Sequence, residues 1–428
     1  MSYSNSLLIE NIAKLCQIES ANTGKKWVAG ADMANLPCLD NAWVLTENGR
    51  ITSFGSMDNP NKPQHAKTIL DAKGGFVLPA WCDSHTHLVF AATRENEFED
   101  KIRGLSYEAI AQKGGGILNS AQKLQVTPQE TLFELAWQRL EEIVSMGTGA
   151  VEIKSGYGLT VEAELKMLRV IRKIKDAAPI PIKATFLGAH AYPTVYKNNH
   201  QGYIQQIIDE MLPAIAHEGL ADYIDVFCER NFFDPEETDQ ILEAGTKFGL
   251  RAKIHANQLA VSGGVQVGVR HNALSVDHLE HTTQAEIDCL QNTNTMPVFL
   301  PSCSFFLGLP YGAARQYIAA GLPIALATDY NPGSTPSGNM PFLLSLACIQ
   351  MKLLPEEAIN AVTINGAYAM DIWRECGTIA SGKLANLIIT QSIQSLARLP
   401  YSFASDLVKQ VIIEGKLAVN KQPSVCWG

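Results

Sequence analysis

The sequence predicts an α/β protein: a (β/α)8 TIM-like barrel with a smaller β-sandwich domain built from both chain ends. Three observations carry this expectation. The middle of the chain alternates short apolar runs with longer helix-periodic segments, as successive βα units on a parallel sheet do. The runs number eight, the count that closes such a barrel. The two ends carry short β-branched runs and tight turns instead, without long amphipathic helices. These shifts put the end domain at 1–79 and 380–428 and the barrel at 80–379.

In order along the chain, AWVLTENGRITSF is two apolar runs joined by Glu-Asn-Gly-Arg, a hairpin signal with Asn48-Gly49 at the turn. The eight runs are GFVLPAWCDSH, GAVEIKS, IKATFLGAH, YIDVFCE, RAKIHAN, ALSVDHLE, MPVFLPS and PIALATD. Between them, PQETLFELAWQRLEEIV and EAELKMLRVIRKIKDA repeat apolar residues every three or four positions, giving each helix one face for the sheet and one for water. After residue 380, KLANLIIT and LVKQVIIEGKLAV return to the strand pattern, the second with a Glu414-Gly415 turn.

A length of 428 residues suits a barrel of about 250 residues plus the smaller domain. A net charge of −9 without a basic block excludes nucleic acid and anionic membrane surfaces as partners and favours a small-molecule substrate. The N-terminus has no basic n-region, and no stretch offers eighteen uninterrupted apolar residues, so a soluble cytoplasmic protein is expected. Nine cysteines, from Cys16 to Cys426 and without a CxxC pair, suit reduced thiols in the cytosol.

Barrel enzymes build their sites at the C-terminal ends of the strands. There stand His85 and His87 on the first run, His190 on the third, His255 on the fifth, His278 on the sixth and Asp329 on the eighth. Two strand histidines two residues apart face one side and can share a metal ion. Alone, such a pair is equally compatible with hydrogen-bonded or exposed imidazoles. His255 and Asp329 change the balance, because a buried imidazole and a buried carboxylate call for a compensating cation. Three imidazoles and one carboxylate suit one divalent ion, Zn2+ or Fe2+, and an open coordination position brings the pKa of water to about 7. His278 is assigned to orienting that water and Asp329 to proton transfer; a core histidine bonded to a carbonyl is the alternative for His278.

These residues resemble the amidohydrolase superfamily, whose barrels carry His-x-His on strand one, histidines on later strands and Asp on strand eight. Members with two metals carry a bridging lysine at the end of strand four, where this chain has Cys228-Glu229, so the resemblance implies a mononuclear site. HTHLVFAATRENEF, EIKSGYGL, FLGAHAYP, DHLEH and LATDYNPGS sharpen it towards members that open the ring amide of 4-imidazolone-5-propanoate to N-formimidoyl-L-glutamate. For such a substrate the resemblance makes Arg94 a bidentate carboxylate clamp, with Tyr157 adding a hydroxyl and His190 polarising the ring carbonyl. Asn331, Gly333 and Ser334 become further substrate contacts. Gln258 stands where relatives carry a carboxylate; it can bind a ring nitrogen but cannot take a proton. A homodimer is also implied. An Arg94–Glu95 or Arg94–Glu97 salt bridge, and a Tyr157 packed on a turn, are the plain alternatives.

The run Lys113 to Gly116 lacks a nucleotide fingerprint and reads as a mobile loop over the site, and Ser262-Gly263-Gly264 reads as close packing at a helix entrance. Two departures from the superfamily stand out: Ala80-Trp81-Cys82 leading into strand one, and Asn386 where Asp is common. Two rival functions remain at this stage, an aminohydrolase acting on a nitrogen heterocycle and a non-catalytic barrel.

Overall fold

The structure, a computed structural model, describes residues 5–19, 24–105 and 115–421. The end domain contains β1 (Ser6–Cys16), β2 (Cys38–Glu47), β3 (Arg50–Ser56), β4 (Thr68–Asp71) and β5 (Gly75–Pro79) from the N-terminal side. The barrel strands are β6 (Trp81–Thr86), β7 (Thr148–Lys154), β8 (Ile182–Ala189), β9 (Tyr223–Cys228), β10 (Arg251–Ala256), β11 (Ser275–His278), β12 (Met296–Phe299) and β13 (Ala325–Leu326). The end domain is completed by β14 (Leu387–Ser392), β15 (Val408–Ile413) and β16 (Lys416–Asn420).

The end strands form one mixed sheet in the order β16-β15-β14-β5-β1-β2-β3, with β4 also on β1. The sheet curls back on itself. Ile51 and Gly49 of the β2–β3 hairpin exchange backbone hydrogen bonds with residues 382–385, which lead into β14. Ile9, Ile12, Val44, Val77, Leu387 and Ile412 fill the space between its halves. The Asn48-Gly49 and Glu414-Gly415 pairs all have positive φ, from 47° to 81°, as a two-residue turn with right-handed strand twist requires.

The eight parallel strands β6 to β13 form the expected barrel, each bonded to the next. Helix Gln129–Ser145 packs Leu132, Ala136, Leu140 and Ile143, three or four residues apart, against it. The first apolar run feeds both sheets: β5 pairs with β14 and β1, and after Ala80 the chain enters β6, which pairs with β7. Every residue of both strands is buried.

Closure between β13 and β6 depends on side chains. Asp83 accepts hydrogen bonds from the Thr328 amide (3.0 Å) and hydroxyl (2.6 Å), while Asp329 N donates to His85 O and His87 N to Tyr330 O, each at 2.9 Å. Burial pushes Asp83 up to about 7 against the opposing effect of the Thr328 bonds. The seam that closes the barrel therefore fixes the backbone of His85, His87 and Asp329.

Asn386 joins the two parts. Its Nδ2 donates to Gly149 O (2.9 Å) in the barrel, and its Oδ1 accepts from Glu414 N (2.9 Å) in the β15–β16 turn. A carboxylate could satisfy only the second bond and would face the Gly149 carbonyl. Asn386→Asp is expected to destabilise the protein by about 1–3 kcal/mol, read as a lowered midpoint in urea denaturation at neutral pH. An unchanged midpoint would mean that this contact does not hold the parts together.

Candidate metal centre and its rim

His85 lies in β6 and His87 directly after it; His190 follows β8, His255 lies in β10, His278 ends β11, and Asp329 follows β13. The barrel brings them together. The His85 ring is 4.5 Å from His255, 5.4 Å from His87 and 5.6 Å from His278. Asp329 Oδ1 lies 3.5 Å from His85 Nε2 and 3.6 Å from His87 Nε2. Ligand atoms of His85, His87 and Asp329 fall within 4.8 Å of one another, as do those of His85, His255 and His278.

Burial, with Lys154 and His255 beside His85 and with His190 and His255 beside His87, holds both imidazoles well below their ordinary pKa. They are neutral and carry lone pairs. His85 Nε2 and His255 Nε2 are buried without a hydrogen-bond partner among the described residues, a costly arrangement for a polar nitrogen that a metal ion would relieve. Charge points the same way: buried Lys154 and Lys253 face a larger number of buried carboxylates, Glu152, Asp225, Asp277 and Asp329, with Asp83 and Glu280 also buried beside the histidines. The donor set therefore fits one divalent ion.

Carboxylates behind the histidines orient them. Asp277 Oδ2 lies 2.7 Å from His85 Nδ1 in a hydrogen bond, and Asp225 Oδ2 makes a 3.0 Å charge contact with His255 Nδ1 outside hydrogen-bond alignment, so each ring turns Nε2 inwards. Asp329 has φ of 57° and His278 of 87°, left-handed values that strain residues with a side chain. The turn after Asp329 holds this geometry: Asn331 Nδ2 donates to Asp329 O (2.7 Å), and Ser334 Oγ donates to Asp329 Oδ2 (2.8 Å). Only Oδ1 is left facing the histidines. His278 Nδ1 lies 3.3 Å from Glu280; burial lowers its pKa, but Glu280, Asp329 and Asp277 outweigh burial and raise it.

At the rim, Arg94 Nε and Nη2 bind Glu97 Oε2, with Nε at 2.8 Å. Glu97 in turn accepts from Gly116 N at 3.0 Å. The salt bridge allowed by the sequence is thus present, but it is largely buried, with the Arg94 side chain 12% exposed. It occupies the Nε–Nη2 edge. Nη1 instead faces the Asn331–Ser334 turn, so close that a Cβ on Gly333 would lie 2.4 Å from it. Tyr157 OH lies 3.4 Å from Asn331 Oδ1, and its ring meets His87 and His190 edge-on.

His190 stacks beside His87 at 5.5 Å, with Nδ1 3.0 Å from Gly156 O. Burial and the neighbouring His255 lower its pKa to about 3, so Nδ1 carries the single ring proton and donates it to that carbonyl. Nε2 is then an acceptor. Polarising a ring carbonyl through Nε2 would require the doubly protonated ring. Gln258 Nε2 points to Cys303 Sγ at 3.4 Å. Lys113 and Gly114 of the glycine-rich run lie outside the described residues. Gly264 begins a helix where a Cβ would approach Ala256 Cβ to 2.9 Å, the close packing expected there.

The sequence reasoning passed over the charged layer beneath the histidines. Lys154 Nζ contacts Glu152 Oε1 (2.7 Å) and Asp225 Oδ2 (2.8 Å), and it lies 3.4 Å from Asp277 Oδ2; Lys253 binds Glu152 Oε2. The signal was present in GAVEIKS and RAKIHAN, where ionisable residues recur two apart inside apolar strand runs and so share a face, and in the single aspartates within YIDVFCE and ALSVDHLE.

The amidohydrolase family matches residues 76–418, and the chain belongs to that metal-dependent family. Within it, the chain belongs with the imidazolonepropionases. The protein of that name from Flavobacterium johnsoniae is 58% identical over 96% of this chain and 99% of its own length, and the one from Thermoanaerobacter pseudethanolicus 39% identical over 95% and 96%. The fold is shared more widely. Escherichia coli guanine deaminase superposes with a TM-score of 0.72 at 13% identity, covering 97% of this chain and 99% of its own. An adenosine deaminase from Xanthomonas campestris with bound zinc gives 0.69 at 16% identity, covering 97% and 93%.

Proposed function

We propose that the chain hydrolyses the ring amide C–N bond of 4-imidazolone-5-propanoate to N-formimidoyl-L-glutamate, the step in histidine degradation that leads towards glutamate. One observation carries the substrate assignment: Arg94 stands at the rim of the His/Asp cluster with Nη1 turned to the Asn331–Ser334 turn, beside Tyr157. A guanidinium edge and a phenol there suit the propionate.

His85, His87, His255 and Asp329 would hold one divalent ion, zinc or ferrous iron. When bound, such an ion brings water to a pKa of about 7 and polarises the ring carbonyl. Asp329 Oδ1 takes the proton of the attacking water and delivers it to the leaving ring nitrogen. His278, held by Glu280, orients the water. His190 accepts a hydrogen bond from the substrate ring through Nε2, and Gln258 lies where its amide can meet the ring. The water oxygen forms the new C–O bond, the ring C–N bond breaks, one water proton ends on nitrogen and the other leaves with the new carboxyl group. Asn331, Gly333 and Ser334 shape the wall next to Arg94, Asn331 and Ser334 also by fixing Asp329.

Among the described residues no helix is long and apolar enough to cross a membrane, and eight cysteines are free. Both features accord with a cytoplasmic enzyme. The aromatic chain Phe305–Phe342–Phe403, with Phe305 and Phe403 exposed, is consistent with a homodimer.

The test is Arg94→Met, assayed by mass spectrometry of formimidoylglutamate. KM should rise at least about tenfold, on the order of 1.4 kcal/mol, with kcat less affected. An aminohydrolase that binds an uncharged heterocycle has no use for this clamp, and an unchanged KM would overturn the substrate assignment.

A further inference from the structure

Lys154, at the end of β7, is fully buried and belongs to neither the ligand set nor the substrate rim. Its contacts are selective. Asp225 Oδ2, 2.8 Å from Nζ, is the same oxygen that lies 3.0 Å from His255 Nδ1. Asp277 Oδ2, 3.4 Å from Nζ, is the same oxygen that lies 2.7 Å from His85 Nδ1. One ammonium thus sits between two carboxylates, and each carboxylate orients one inward-facing imidazole on a different strand.

We propose that Lys154 is a positioning residue for the metal centre: its ammonium pins Asp225 and Asp277 together, fixing the His255 and His85 rings with Nε2 towards the ion. The proposal rests on His85 and His255 being metal ligands, as read above. Two carboxylates inside one barrel repel each other, and without a cation between them they would move apart. A displaced carboxylate no longer holds the adjacent Nδ1 edge, and the ring is free to turn. Ser275 Oγ, which donates to Asp277 Oδ1 at 2.5 Å, and Glu152, the third carboxylate on Lys154, complete the support.

Lys253 provides an internal comparison. It is equally buried, but its Nζ binds Glu152 Oε2, Ala369 O (3.0 Å) and Ser84 O (3.4 Å), and among the described residues it bonds neither Asp225 nor Asp277. A merely structural role would make the two lysines equivalent. The proposal separates them.

The experiment measures zinc affinity of the apo full-length chain by competition with a chromophoric chelator, beside thermal melting of the same apo samples. Lys154→Met should raise the zinc Kd about 10–100-fold, the usual effect of losing support behind a ligand. Lys253→Met should lower the melting temperature but leave Kd within threefold. If Lys154→Met fails to fold, the charge-balanced pair Lys154→Met with Asp225→Asn takes its place, compared with Asp225→Asn alone. Lys154 still holds Asp277 in that background, so the pair must bind zinc at least threefold more weakly. An unchanged Kd on removing Lys154 in either background, or an equal loss of affinity in Lys253→Met, overturns the proposal. His85→Asn distinguishes the two levels: if it too leaves zinc affinity intact, the ligand reading has failed, and if it abolishes binding while Lys154→Met does not, only the positioning role has failed.

Discussion

Asp329→Asn is expected to lower kcat by about 10²–10⁴-fold, the range associated with a positioned proton-transfer group. The substitution is nearly isosteric, and Ser334 Oγ, which bonds Oδ2 at 2.8 Å, can still find an oxygen. What disappears is the charge and the ability to accept a proton on the atom facing His85 and His87. A proposed ligand oxygen also loses its charge, so the ion is held less tightly. Steady-state assays at saturating zinc separate the two losses. If kcat recovers to within tenfold of the parent once zinc is in excess, Asp329 is a ligand and not the proton carrier.

His278→Asn should reduce kcat by about 10²–10³-fold, with KM and metal content close to the parent. This residue tests the assignment severely, because its ligand atom falls within the same 4.8 Å cluster as those of His85 and His255. Its contact with Glu280, at 3.3 Å, ties Nδ1 away from the cluster, and the backbone there is held at φ 87°. Strain maintained at this position points to a demand on where the imidazole stands. Metal analysis of the variant decides the matter. Retained metal with depressed kcat fits a water-orienting group, whereas lost metal would place His278 in the coordination shell.

Much of this was legible before any coordinates. Strand ends were visible because an apolar run stopping at His255 or Asp329 is costly unless something compensates the polar group, and compensation concentrates at one end of a barrel. The hairpins were visible because Asn48-Gly49 and Glu414-Gly415 readily take the positive φ that a two-residue turn requires. Other features depended on three-dimensional pairing. Lys154 meets Asp225 and Asp277, residues 71 and 123 positions further along the chain, and no local pattern selects those partners. Arg94 is similar: the sequence offered both a clamp and a salt bridge with Glu97, and the structure shows the Glu97 bridge on one guanidinium edge with Nη1 against the Asn331–Ser334 turn. His190 was placed correctly at a strand end, but its role turned on a single bond to Gly156 O that fixes which nitrogen carries the proton. Tautomers are set by neighbours, and the identity of that neighbour was not local information.

The central claim is that His85, His87, His255 and Asp329 hold one divalent metal ion. Elemental analysis of the purified chain, beside His255→Asn prepared in the same way, tests it most directly. The parent should carry one equivalent of zinc or iron per chain and the variant less than about a tenth of that, with formimidoylglutamate production lost in parallel. A parent that is active without transition metal, or a His255→Asn variant that retains a full equivalent, would contradict the account.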